Sequence, residues 1–385
     1  MKKVLYFILM CLMCVPLNIV KAEELKLAEN AKSAILLEPT TGEIIFEKNS
    51  HEKLHPASMT KMMSMLLIVE AIEDGVIKWE DVVTVSENAA GMGGSQILLE
   101  VGEQMTVDDL FKGIAVASGN DAVVALAEKI GGSEAIFVDM MNERAKEMGL
   151  ADTNFKNPHG LDDEEHYSSA YDMAMIAKEL VKHDKVLEYT SIYEDYLREN
   201  TDRKIWLVNT NKLVRFYDGV DGLKTGYTAS AGYCLTATAK KNNSRFIAVA
   251  MGEPDSKTRN AEISEMLDYA FAQYEVETLL NTDSVIGTKE VEKGKKKYVD
   301  LVPLEQVSFL NKKGTNKKNA SYEVVVDNLK APLKVGDAVG KLIIKEAENV
   351  IREVPVTVRE NIEKANILEL YFRHLTDILK GDVNL

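Results

Sequence analysis

Pro56-Ala57-Ser58-Met59-Thr60-Lys61 runs straight into Met62, Met63, Met65, Leu66, Leu67, Ile68, Val69, Ala71 and Ile72. Apolar side chains in that run fall on nearly every side of a 3.6-residue repeat, which predicts a helix buried in the middle of a domain. Pro56 lies just outside the first turn, so Ser58 sits near the helix start and Lys61 follows one turn later on the same face. A serine hydroxyl is a weak nucleophile until a base takes its proton. An amine can be that base only where burial or a second cation keeps it neutral. Ser58 and Lys61 are therefore the candidate nucleophile and base. The same spacing recurs at Ser50-His51-Glu52-Lys53, in a polar stretch with loop character. The spacing alone decides little, and what singles out Ser58 is the company it keeps downstream.

Just before this helix, Ala34-Ile35-Leu36-Leu37 and Glu43-Ile44-Ile45-Phe46 flank Pro39-Thr40-Thr41-Gly42 and predict a β-hairpin. After it, Thr106-Val107-Asp108-Asp109 reads as a helix start. That helix runs to about Ala117, and Ser118-Gly119-Asn120 then makes a short turn into a second helix over 121–130, stopped by Gly131-Gly132. Further helices are expected over 134–148 and 169–183. Gly222-Leu223-Lys224-Thr225-Gly226-Tyr227 reads as a strand, followed by a hairpin over 232–251 that turns at Lys241-Asn242-Asn243, and a helix over 258–274. Strands and helices mix without regular β-α alternation. The expected fold class is α+β, an antiparallel sheet with packed helices rather than a doubly wound fold.

From about residue 277 short β-type runs (298–302, 322–326, 341–344, 353–358) alternate with Gly, Asn and Lys turns, as in a small all-β domain. The lysine-rich segments 293–297 and 312–318 read as solvated turn tips, with contact to an anionic wall polymer as the alternative. From Asn361 onward, Ile362, Ala365, Ile367, Leu368, Tyr371, Phe372, Leu375, Ile378 and Leu379 fall on one helical face. Such a helix suits a membrane surface, where its nearly cancelling charges would add little attraction, or else docks on protein.

At the other end, Lys2 and Lys3 precede an apolar run from Val4 to Val15, and Val20-Lys21-Ala22 has small residues where signal peptidases read. The run is short for a bilayer span, so a cleaved secretory signal ending at Ala22 is expected, with an uncleaved anchor as the alternative. Cys11 and Cys14 fall inside this leader, each directly preceded by Met, which is unlike a lipid-attachment site, leaving Cys234 as the one thiol and no internal disulfide. The 385-residue chain carries a net charge of −15, and removing the leader leaves 43 basic against 61 acidic residues. So acidic a chain is no nucleic-acid binder. The expected organisation is a signal at 1–22, a catalytic domain at 23–276, a β-rich domain at 277–359 and an amphipathic helix at 360–385.

His51-Glu52-Lys53-Leu54-His55 matches a zinc-protease pattern that needs both imidazoles on one helical face. Pro56 biases His55 away from helical angles, and no third ligand is evident among His159, His166, His183 and His374. The stronger constellation is Ser58-Met59-Thr60-Lys61, Ser118-Gly119-Asn120 and Lys224-Thr225-Gly226, in that order. With Gly93-Gly94-Ser95-Gln96, Asn157-Pro158-His159-Gly160-Leu161-Asp162 and Asp221-Gly222 in support, the chain resembles the low-molecular-mass penicillin-binding proteins that act as D-alanyl-D-alanine carboxypeptidases. The resemblance runs from about Ala31 to Arg259 and on into the second domain and tail.

That resemblance implies a transpeptidase-like catalytic domain, a β-rich second domain and a C-terminal amphipathic anchor. Its substrate would be the peptidoglycan stem peptide, its inhibitors β-lactams, and it needs no cofactor or metal. Ser58 would attack the carbonyl between two D-alanines with Lys61 as proton acceptor, forming an acyl-enzyme that water hydrolyses. Backbone amides of Ser58 and Tyr227 would form the oxyanion hole. Ser118 would relay a proton to the leaving amine and Asn120 hold a substrate amide. Lys224 would help keep Lys61 neutral, Thr225, beside Gly226, would bind the substrate carboxylate, and Arg259 would assist it unless it is a surface helix arginine. Tyr227 departs from the histidine carried there by the best-known carboxypeptidases; a backbone amide survives that change.

Other functions share these elements. A class A β-lactamase would carry aspartate at Gly119 and a deacylating glutamate, and would lack the second domain and tail. A DD-endopeptidase or transpeptidase uses the same acyl-enzyme with a different acceptor. A catalytically dead wall-binding protein would not need every reactive residue that this chain retains.

Overall fold

The structure is a computed structural model and describes residues 25–315, 320–346 and 349–380. The expected leader, with Cys11 and Cys14, and part of the basic turn at 312–318 lie outside the described residues. Strands β1 (Ser33–Leu37) and β2 (Ile44–Lys48) make the first hairpin. A 3₁₀ turn, Ala57–Thr60, carries Ser58 and leads into helix α1 (Lys61–Glu73), so the nucleophile candidate precedes the α-helix rather than opening it. Met62, Met63, Met65, Leu66 and Ile68 are all fully buried. Each such side chain contributes roughly 2–3 kcal/mol, enough for the helix to hold a lysine in the core.

Thr106 caps helix α2 (Val107–Ala117), its hydroxyl accepting from Asp109 N at 3.1 Å. Ser118 ends it in the left-handed conformation (φ +63°), and Asn120 opens helix α3 (Asn120–Gly131) at once. Helices α4 (Glu134–Glu147) and α5 (Ala170–Leu180) follow, each with a serine cap. The helix expected to reach residue 183 stops at Leu180, because His183 takes an extended backbone that starts a separate helix, Asp184–Thr190. Then come the short hairpin β3 (Glu194–Leu197) and β4 (Ile205–Val208), the long strands β5 (Val220–Thr228), β6 (Gly232–Lys241) and β7 (Ser244–Glu253), and helix α6 (Ser256–Gln273).

The main sheet has the order β2-β1-β7-β6-β5 and is antiparallel throughout. Strand alternation sends Ile35, Leu37, Cys234, Val249 and Met251 to one face, against the cluster that contains α1, and Ala34, Leu36, Leu235, Ala248 and Ala250 to the other, against Ile263, Met266 and Leu267 of α6. Both faces are thus dry, which is why β1 reads as an unbroken apolar run.

Strands β8 (Tyr274–Leu280), β9 (Gly287–Glu292), β10 (Tyr298–Pro303), β11 (Val307–Lys312), β12 (Ala320–Val326), β13 (Leu329–Lys330), β14 (Gly340–Glu346) and β15 (Asn349–Val358) form the all-β part. Six of them pair in the order β12-β14-β15-β10-β9-β13 around Leu301, Leu342, Ile344, Val354 and Val356, while β8 pairs β11. Helix α7 (Ile367–Lys380) closes the described chain. Ile362 and Ala365, expected on its apolar face, are instead buried, and Ile362 bridges Leu333 and joins the core of the β part. An extended segment and a helix can both place apolar residues three apart, and here tertiary packing took the first two of the series.

Candidate active site

Three separate stretches meet at the start of α1. Lys61 is completely buried, and its Nζ stands 3.0 Å from Ser58 Oγ, 2.6 Å from Asn120 Oδ1 and 2.7 Å from the carbonyl oxygen of His159. Burial holds its pKa well below the usual lysine value, the nearby Lys224 lowers it further, and only Asp121 opposes them. Burial and the second lysine both favour the neutral amine, which is the form that can take a proton from Ser58.

Strand β5 brings the second cation. Lys224 is 1 % exposed, its Nζ donates to the carbonyl of Thr225 at 3.0 Å, and burial and then Arg259 pull its pKa down to about 7. Gly226 is where the strand crosses the serine turn. A Cβ there would stand 2.6 Å from Pro56 O and 3.2 Å from Ser58 N, so only glycine permits this approach. That crossing brings β5, at Gly226, against the backbone amide of Ser58. The Tyr227 ring is 57 % exposed and tilts over Tyr233 with centroids 4.3 Å apart. Arg259 is buried, not a surface arginine; its guanidinium reaches Cys234 O at 3.5 Å and Asn260 Oδ1 at 2.9 Å.

Ser118 is 3 % exposed and held in the left-handed region, as is Ala57 beside the nucleophile (φ +47°). Two non-glycine residues in that region within one site are strain kept by the surrounding packing. Asn120 donates through Nδ2 to Gly93 O at 2.7 Å while accepting from Lys61. Thr225 Oγ1 donates to Thr210 Oγ1 at 2.8 Å.

Thr210 was not evident in the sequence, since no motif marks it. Nor were the backbone carbonyls of the 157–160 segment: His159 O receives Lys61, and Pro158 O receives Ser64 Oγ at 2.7 Å. Gly160 makes that segment fit, because at φ +87° a Cβ would lie 1.9 Å from Ala57 O. The run Asn157-Pro158-His159-Gly160 was the signal available for it. Across the cleft, Thr228 Oγ1 donates to Asp162 Oδ1 at 2.7 Å, tying the end of β5 to the same segment.

The histidines of the His-Glu-x-x-His pattern go elsewhere. His51 Nδ1 lies 2.9 Å from Asp152, and His55 Nδ1 2.9 Å from His166 O, on a segment that is not helical. His166 accepts from Lys156 N at Nδ1 and therefore donates from Nε2 to Thr60 Oγ1 at 2.7 Å; burial first, then His159, drop its pKa to about 4 against the opposing pull of Asp163. Among the described residues no group of three or more His, Cys, Asp or Glu is placed to hold a metal.

Comparison with known proteins adds to this geometry. Residues 19–255 match the family model described as D-alanyl-D-alanine carboxypeptidase, and residues 274–364 match penicillin-binding protein 5, C-terminal domain. The chain is 53 % identical over 356 residues to the D-alanyl-D-alanine carboxypeptidase DacF of Bacillus subtilis, covering 92 % of each. Among solved structures it is similar to penicillin binding protein 5 from Haemophilus influenzae, with TM-score 0.70 and 33 % identity over 89 % of this chain and 100 % of that one. It is also similar to penicillin-binding protein D2 from Listeria monocytogenes in its ampicillin-bound form, with TM-score 0.57 and 28 % identity over 65 % of this chain and 99 % of that one.

Proposed function

Since the chain belongs to the D-alanyl-D-alanine carboxypeptidase family of low-molecular-mass penicillin-binding proteins, we propose that Ser58 is the residue acylated by substrate and that Lys61 is its base. The protein is a serine-type D-Ala-D-Ala carboxypeptidase that acts on peptidoglycan in the bacterial cell envelope and binds β-lactams. The observation that carries the residue assignment is the 3.0 Å contact between a half-buried serine and a fully buried lysine, whose pKa burial lowers.

Ser58 Oγ gives its proton to Lys61 Nζ and attacks the carbonyl carbon between the two D-alanines. Oxyanion charge develops against the amides of Ser58 and Tyr227, donors that need no movement to meet it. The proton passes by way of Ser118 to the departing amine, the last D-alanine leaves, and water attacks the ester with Lys61 again as base. Asn120 holds a substrate amide, and Thr225 with Arg259 binds the terminal carboxylate. Burial lowers the pKa of Lys61, and Lys224 close by, where it is protonated, lowers it further.

The chain acts after export, with residues 1–22 as its leader, and α7 rests on the membrane surface. In support, Ile367, Leu368, Tyr371, Phe372, Ile378 and Leu379 are all exposed on α7, while no helix among the described residues is long and apolar enough to cross a bilayer.

D-alanine release from a diacetyl-Lys-D-Ala-D-Ala peptide by protein lacking residues 1–22 tests the assignment, with penicillin and EDTA as parallel inhibitors. Release blocked by penicillin and by Ser58→Ala, and untouched by EDTA, is expected. Penicillin labelling that persists in Ser58→Ala would move the nucleophile elsewhere.

A further inference from the structure

The segment 93–99 supplies no side chain to the reaction described above, yet it grips Asn120 from two sides. Gly93 O accepts from Asn120 Nδ2 and Ser95 O accepts from Asn120 N, both at 2.7 Å. Gly94 (φ +79°) closes the gap, since a Cβ there would lie 2.8 Å from Asn120 Nδ2. Where this segment lies, the Asn120 side chain must follow, and with it the oxygen that faces Lys61 at 2.6 Å.

Ile97 and Leu99 pack into the core, but Leu98 at the bend between them is 59 % exposed and in the left-handed region (φ +57°), so something else must hold the bend itself. Polar groups do it from both edges. On the amide edge, the Asp121 carboxylate accepts from Ile97 N at 3.0 Å and Leu99 N at 3.1 Å. On the carbonyl edge, Arg198 Nη1 donates to Ile97 O at 2.9 Å and Arg203 Nη2 to Leu98 O at 2.7 Å. Both guanidiniums are anchored by Glu103. Its carboxylate takes Arg198 Nε at 2.5 Å and Nη2 at 3.1 Å, and Arg203 Nη1 at 2.9 Å. The side chains of Arg198 and Glu103 are 8 % and 13 % exposed, so this fork is shielded from water and from salt. Arg198 itself is left-handed (φ +55°), at the end of β3, which marks a second strained residue on the opposite side of the same contact.

We propose that Arg198, anchored by Glu103, is a positioning residue for acylation: it draws segment 93–99 against α3 and so sets Asn120 against Lys61. This rests on Lys61 being the base. Arg198 lies in the hairpin of β3 and β4, far from both in sequence, and touches neither the nucleophile nor the base. Its influence runs through Ile97 O, Gly93 O and the Asn120 amide. Displacement of a reacting group by about 1 Å can cost on the order of 100-fold in rate, so a loosened segment would register in the chemistry before it registered in the fold.

The test uses the full chain and measures the second-order rate of penicillin acylation from pH 5 to 10 beside the thermal midpoint. Arg198→Ala should slow acylation about 10–100-fold. It should also move the acid limb of the profile to lower pH, because the Asn120 oxygen favours the ammonium form of Lys61. Glu103→Gln should act in the same direction, and combining the two should cost less than the sum of their separate effects, the remainder being the Arg203 contact that Glu103 also anchors. Arg198→Lys keeps the charge opposite Glu103 but lacks the fork that spans to the carbonyl, and should recover only part of the rate. A folded Arg198→Lys protein within twofold of the parent rate, with an unmoved pH profile, overturns the proposal; so does an Arg198→Ala protein that loses thermal stability alone. Penicillin labelling of Ser58→Ala, run alongside, would instead overturn the underlying assignment.

Discussion

Two regions of this molecule break the ordinary sorting of polar and apolar groups, in opposite directions. At the start of α1 the lysines Lys61 and Lys224 are buried completely. Along α7, Ile367 and Leu379 stand more than four-fifths exposed. A buried amine is held against its preference by the packing around it, so it is available for proton transfer. An apolar face left in water is held there only because the helix is tethered, so it is available for a surface. Each is a local cost sustained by the rest of the fold, and we propose that each marks where the protein meets something outside itself.

The contrast breaks first if the buried lysine proves to be structural. Replacing it with an apolar chain of similar length, Lys61→Met, should reduce penicillin acylation by about 10²–10⁴-fold and change the thermal midpoint little, the removal of a desolvated amine offsetting the loss of a donor to Asn120 Oδ1 and His159 O. A melt many degrees lower with a proportionate loss of activity would make Lys61 a packing residue.

A pH series sharpens the same point for the second lysine. Lys224 has a pKa of about 7 in the folded chain, depressed by burial and by Arg259, against the ordinary 10.5. Between those values the unfolded chain holds a proton that the folded chain lacks, so folding stability should rise with pH over that window and level off below it. From pH 7 to 10 the gain is about 4 kcal/mol. Denaturant unfolding of the parent and of Lys224→Met should therefore diverge in slope over this range, with the variant flatter; equal slopes would mean that Lys224 stays charged.

Gly160→Ala probes how tightly the lysine site is bounded. With a Cβ 1.9 Å from Ala57 O at a positive φ, the change should cost about 3 kcal/mol of stability and shift the His159 carbonyl off Lys61. A neutral melt would contradict the close approach. The smallest effect on catalysis belongs to the other region. Ending the chain after residue 366 should leave D-alanine release from a soluble peptide within about twofold while abolishing sedimentation with anionic and neutral lipid vesicles alike. Vesicle binding that survives would move the membrane contact off α7.

Much of this contrast could be read in the sequence, because both regions are written in side chains at fixed spacings. The all-round apolar run after Lys61 specified a buried helix, and the ordered Ser-x-x-Lys, Ser-Gly-Asn and Lys-Thr-Gly elements brought Ser58, Lys61, Ser118, Asn120 and Lys224 forward as a set. What escaped was written in the backbone or in pairings distant in sequence. The carbonyls of Pro158 and His159 have no residue-type signature, Thr210 meets Thr225 only after β5 is placed, and Arg198 finds Glu103 across 95 positions. Ile362 and Ala365 misled for a related reason: a spacing compatible with a helix says nothing about whether a neighbouring strand will claim the residues first.

The three oxygens around Lys61 differ in one respect. An ammonium carries three hydrogens, whereas an amine carries two and a lone pair. As an ammonium, Lys61 can donate to Ser58 Oγ, Asn120 Oδ1 and His159 O together. As an amine it still donates to the amide and carbonyl oxygens, which can only accept, and its lone pair is left facing the hydroxyl, the one neighbour with a hydrogen to give. Both charge states are therefore saturated with every heavy atom where it stands. Handing over the proton requires no rearrangement of the surroundings, and among these three partners only Ser58 can be its source.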